Sequence, residues 1–98
     1  MDDATRGKVR ELHDYLAATA ELPVETDASR WLGEAEAVAG DAAGEGVPEA
    51  AVAKRVSQVR SLLNNVEETG DEAADEHVAA ARELARELDR ELDEFGVL

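Results

Sequence analysis

The sequence predicts an all-α protein, an up-down four-helix bundle with helices at about 3–21, 27–43, 48–69 and 71–95. Three observations carry this. Apolar residues recur at alternating spacings of three and four, which gathers them on one face of a helix. The clearest glycine and proline breaks, at Pro23, Gly44 to Pro48 and Gly70, fall between these periodic segments. No stretch shows the period-2 alternation of a half-buried strand, and no internal repeat is present.

Helix 1 is expected from Asp3, a suitable N-cap, to Glu21. Val9, Leu12 and Leu16 form its seam, with Tyr15 and Ala20 beside it. Leu22-Pro23 ends it, because a residue preceding proline is driven out of the α region. Helix 2 starts near Asp27, with Thr26 or Asp27 as cap. Trp31, Ala35, Val38 and Ala42 line one face, with Leu32 and Ala39 adjacent. Gly33 and Gly40 lie inside this helix and cost roughly 1 kcal/mol each against alanine. With Ala37 they would make a smooth strip for close approach of another backbone.

Helix 3 opens with Pro48 at its first position, where the missing N–H costs nothing. Val52, Val56, Val59, Leu63 and Val66 form a heptad seam flanked by Leu62. Thr69-Gly70 would close it, with Gly70 as a left-handed cap and Asp71 capping the next helix directly. That predicts an antiparallel hairpin joined by one or two residues. Helix 4 is the longest and most regular. Its seam is Val78, Ala81, Ala85, Leu88, Leu92 and Phe95, widened by Leu84 toward a second partner.

Ninety-eight residues suit one domain, 1–98, with a modest core. Many of the 44% apolar residues are alanines, which favour helix and bury little area. A thin core makes oligomer formation attractive as added burial. Helix-face association, with a second copy or a partner protein, is therefore the expected activity. Trp31, Leu84, Leu88, Leu92 and Phe95 are the expected interface anchors, because large apolar groups near an edge tend to carry contacts. The expected protein is non-catalytic and holds no cofactor.

Twenty-four acids against ten bases give a net charge of −14. That disfavours nucleic acid, whose binding needs cations to displace phosphate counterions, and an anionic membrane surface. No cysteine is present, which excludes disulfides, thiolate nucleophiles and zinc fingers. No apolar run approaches a membrane span, and Met1-Asp2-Asp3 is unlike a signal peptide. The expected compartment is the cytoplasm. Acid-rich, alanine-rich and isoleucine-free, with lysine only at Lys8 and Lys54, the chain resembles proteins of salt-accumulating halophilic archaea. In molar salt the Debye length is about 3 Å and the self-repulsion of these acids is screened.

Three clusters carry candidate chemistry. Glu67, Glu68, Asp71, Glu72, Asp75 and Glu76 are close enough in sequence to suggest Mg²⁺ or Ca²⁺, with Glu72, Asp75 and Glu76 the metal candidates. Acids in a first helical turn also complement the helix dipole without any metal. Glu72-Ala73-Ala74-Asp75 followed by Glu76-His77 resembles the E-x-x-D half of the all-α nucleotide pyrophosphohydrolases of the MazG type. That resemblance implies a Mg²⁺-dependent enzyme converting nucleoside triphosphates to monophosphates. Its upstream E-x-x-E would fall on helix 3, where Glu49 is followed instead by Lys54, Arg55 and Arg60. Those three cations suggest an alternative, a regulatory module associated with DNA or a DNA-binding protein. Arg82, Arg86 and Arg90 form a stripe on helix 4, interleaved with acids in the manner of a solvated, ion-paired face. His13 and His77 have no ligand partner at helical spacing, and Ser29, Ser57 and Ser61 lack a triad context.

Overall fold

The computed structural model describes residues 2–92, and all of its regular structure is helical. The helices are α1 (Asp3–Thr19), α2 (Thr26–Ala42), α3 (Glu49–Leu63) and α4 (Glu72–Glu91). α1 packs on α2 and α4, and α3 packs on the same two helices from the other side. Consecutive helices run antiparallel across short connections, so the predicted up-down four-helix bundle is the observed one. The last predicted positions of helix 4, Asp93 to Phe95, lie outside the described residues.

The seams predict the core well. Val9, Leu12 and Leu16 of α1, Val52, Val56, Val59 and Leu63 of α3, and Val78, Ala81, Ala85, Leu88 and Leu92 of α4 are all buried in one continuous cluster. α2 departs from prediction. Its buried line is Ala28, Leu32, Ala35, Ala39 and Ala42, and Trp31 and Val38 are only half-buried. The predicted face is therefore rotated by about 50°, half a residue step, with Ala35 and Ala42 common to both. α2 brings one leucine and four alanines, so it forms the thin wall of the bundle. The glycine strip does not meet a backbone. Gly33 looks onto open space, Ala37 is exposed, and a Cβ on Gly40 would meet the His13 imidazole at 3.3 Å.

Helix ends also differ, each for a local reason. α1 begins one residue after the N-cap Asp2, whose carboxylate accepts from the Thr5 N–H at 2.8 Å. It ends at Thr19, whose hydroxyl donates to the Leu16 carbonyl at 2.6 Å. α2 has Glu25 at its N-cap, without a side-chain cap bond. The Glu25 N–H instead donates to the Thr69 carbonyl at 2.6 Å, tying the α1–α2 connection to the α3–α4 connection. Pro48 is the N-cap of α3 and not its first helical residue.

The largest correction is the end of α3. It stops at Leu63, and residues 64–71 form a folded connection where one or two residues were expected. Arg82 of α4 donates to the carbonyls of Leu63, at 2.9 Å, and Val66. Those contacts tie α4 to the last residue of α3 and to the connection that follows it. Gly70 does adopt the left-handed conformation, φ +83°, but as the residue before the α4 cap and not as the terminator of α3. A Cβ there would lie 2.8 Å from Cγ of Glu25, a flexible side chain that can shift, so it is the left-handed backbone that requires glycine.

Candidate functional site

The acidic cluster before α4 resolves into a local latch. The Thr69 N–H donates to Oδ1 of Asp75 at 2.9 Å, and the buried Thr69 hydroxyl lies 2.7 Å from the same oxygen. Asp71 caps α4 by accepting from the Ala74 N–H at 3.0 Å. The Thr69 N–H, then its hydroxyl, holds the Asp75 carboxyl below its ordinary value of 3.8. Glu72 and Glu76 are exposed on the first turns of the helix. Among the described residues, no three carboxylates or imidazoles converge in a way that could hold a metal ion. Asp75 is thus placed to fasten a connection, and no local pattern marks Thr69 as its partner.

The other sequence candidates disperse. Leu84, Leu88 and Leu92 are buried inside this chain's own core, against α1 and α3, where they leave no free face. Phe95 lies outside the described residues. Of the interface anchors, Trp31 alone remains at the described surface, half-buried, with the Arg30 guanidinium 5.4 Å from its ring centre. His77 sits beside Tyr15, ring centres 6.1 Å apart, at the α1–α4 contact. Arg82, Arg86 and Arg60 meet in a small notch of about 50 Å³ between α3 and α4. Arg60 pairs there with Asp89, and Arg86 with Glu83 at 3.2 Å. At the other side of the bundle, Lys8 pairs with Glu91, which raises the lysine above its ordinary value.

The face the structure does single out lies between α2 and α3. A shallow groove of about 300 Å³ is lined by Val38, Ser57, Gln58, Ser61 and Leu62. Val38 and Leu62 are half-buried, and the three polar residues are small or uncharged. Trp31 precedes Val38 by two helical turns and so lies on the same side of α2. The sequence holds the reason this face differs. Residues 50–66 contain no Asp or Glu, in a chain with 24 of them. Everywhere else the acids recur every few residues and coat the surface. On α3 that coat is interrupted by serine, glutamine and the cations Lys54, Arg55 and Arg60. Sequence reasoning noted those cations but missed the absence of acids around them, and that absence was the legible signal.

A second recess, about 520 Å³, opens where the two connections meet, lined by Glu25, Asp27, Glu67, Glu68 and the Asn64-Asn65 pair. Its acids are solvent-facing, and no buried polar side-chain atom among the described residues lacks a partner. Among the described residues no helix is long and apolar enough to cross a membrane.

A family model described as a domain of unknown function (DUF8152) matches residues 8–94. No curated protein and no solved structure matches the chain.

Proposed function

We propose that this chain, which belongs to the DUF8152 family, is a non-catalytic association module that works through its α2–α3 face in the salt-rich cytoplasm of a halophilic archaeon. The observation that carries the reading is the acid-free α3 surface beside Val38, Leu62 and Trp31. An acidic coat keeps a protein hydrated and apart from its neighbours. The coat covers the other three helices and is interrupted along α3 from residue 50 onward, which favours contact there. The half-buried apolar residues supply a desolvated centre, and Ser57, Gln58 and Ser61 supply a rim that can be dehydrated at small cost.

The composition supports the habitat. A charge of −14 on a thin alanine-rich core is a poor choice in dilute buffer and a suitable one in brine, where repulsion is screened. Association adds the apolar burial that a core of this size lacks.

The test is native mass in molar KCl, measured by light scattering on the purified chain and by size separation of the extract of its own cells. The reading expects an assembly larger than one chain in at least one of them. It also expects Leu62→Glu to abolish that assembly while the helical circular dichroism is unchanged. A monomer in both settings, or an assembly indifferent to Leu62→Glu, contradicts it.

A further inference from the structure

We infer that the occupant of the α2–α3 face is a second copy of this chain, related by a two-fold axis that runs parallel to the helices and lays α2 of each copy on α3 of the other. This rests on the association reading above and specifies its partner. Charge differs in sign on the two sides of the groove. On the α2 side, Asp27, Glu34 and Asp41 recur every seven residues, so they form one exposed stripe just outside Trp31 and Val38. On the α3 side the helix holds no acid after Glu49 and carries Lys54 and Arg55. The α2 half carries three acids against the single cation Arg30, which lies over Trp31, and so is net anionic; the α3 half carries the cations, and a half-buried apolar strip runs between them.

A surface of that kind complements itself under only one of the two ways its copies can be stacked. With the axis parallel to the helices, each α2 crosses to the opposing α3. Val38 shares the groove with residues 57–62 of the antiparallel helix. One turn further along α2 and one turn back along α3, Asp41 and Lys54 are therefore at the same level. The two-fold then sets Asp41 of each copy against Lys54 and Arg55 of the other. Trp31, Val38 and Leu62 fall near the centre of the contact. With the axis perpendicular to the helices, α2 meets α2 and the stripe of Asp27, Glu34 and Asp41 faces its own image. Like charges so placed repel, and the first stacking is favoured. An isologous contact of this type needs one patch only and closes at two copies.

The dimensions are adequate. The chain measures 37 × 21 × 17 Å along its principal axes. These extents leave room on a long side of the bundle for an interface approaching the roughly 800 Å² per partner of a standard specific contact. Salt dependence follows from the same charges. Two chains of −14 repel as whole bodies, and salt screens that repulsion over distances beyond about 3 Å at 1 M. The close Asp41–Lys54 contacts are screened less. Dimer formation is therefore stronger in molar KCl than in dilute buffer, the reverse of a contact driven by opposite net charges.

Charge exchange in the full chain tests the geometry. Light scattering and sedimentation in molar KCl would give the dissociation constant for the wild type, Lys54→Glu, Asp41→Lys and the chain carrying both changes, with circular dichroism checking that each is folded. Each single change should weaken the dimer at least about tenfold, since it sets like charges opposed at two symmetry-related places. The combined chain should return to near the wild-type value. An Asp41→Lys dimer that is unchanged or tighter, or a combined chain that stays weak, overturns the arrangement. A purified wild type that is monomeric while the cell extract holds it in a larger complex overturns the second-copy inference alone. A monomer in both removes the association reading with it.

Discussion

Leu88 and Leu62 are the same residue type on adjacent helices, and the account gives them opposite roles. Leu88 is fully enclosed between α4 and its neighbours, whereas Leu62 is half-buried at the edge of the groove. Leu88→Ala leaves a cavity in a core that has few large side chains to collapse into it. Fully buried Leu→Ala changes cost about 2–5 kcal/mol, and about 3 kcal/mol is expected here. At about 4–8 °C per kcal/mol for a domain of this size, the melting temperature should fall by about 12–24 °C. Leu62→Ala removes only part of an already half-exposed side chain. Complete burial of a leucine is worth about 1.5–3 kcal/mol, so the loss should be about 1 kcal/mol or less. The assay is urea or thermal unfolding followed by circular dichroism in molar KCl. It should be run on dilute protein, so that loss of association does not lower the apparent stability by mass action. The paired result expected is a large loss with native mass retained for Leu88→Ala, and a small loss with reduced mass for Leu62→Ala. Equal losses from the two changes would refute the partition between core and face.

Other outcomes follow from the connection between α3 and α4. Gly70→Ala should cost about 1–2 kcal/mol from the left-handed backbone, and adding Glu25→Ala should recover little of it because the Glu25 side chain can move aside. Thr69→Val should leave the helices intact but speed amide hydrogen exchange at residues 69–75, because the Asp71 and Asp75 contacts of its hydroxyl are gone. Asp75 is held below 3.8 in the folded chain, so its contribution is present above that pH and is lost as pH falls through the lowered value. Acid titration followed by exchange at the Thr69 amide should therefore show the latch surviving past the point where exposed carboxylates have protonated, and Asp75→Asn should remove that persistence. Incubation with Mg²⁺ and nucleoside triphosphates in molar KCl should release no pyrophosphate, and release that Glu72→Ala abolishes would restore the enzymatic alternative.

The sequence made most of the fold legible because three of the four helices carry valine and leucine at heptad spacing. Those residues have a single stable place, the interior, and all are found there. α2 was harder to orient. Its stripe is mostly alanine, which marks a buried face weakly, so the bulk of Trp31 and Val38 drew the predicted face about half a residue step aside. The end of α3 was hidden for another reason. Asn64 and Asn65 disfavour helix only mildly, and what fixes the stop is Arg82, sixteen or more residues away, gripping the carbonyls of Leu63 and Val66. The interface anchors on α4 were ambiguous in principle. A heptad of leucines looks identical whether its partner helix belongs to the same chain or to another, and here α1 and α3 cover Leu84, Leu88 and Leu92. The α2–α3 face could have been found from sequence by asking where the acids stop.

Trp31 is the sole tryptophan of the chain and stands on the face proposed for association. Collisional quenching of its fluorescence, followed across a dilution series in molar KCl, reports directly on whether that face is covered. The account predicts a protected indole at high concentration that becomes accessible on dilution, with Leu62→Glu accessible throughout. Quenching that is independent of concentration and identical in the two proteins would contradict it.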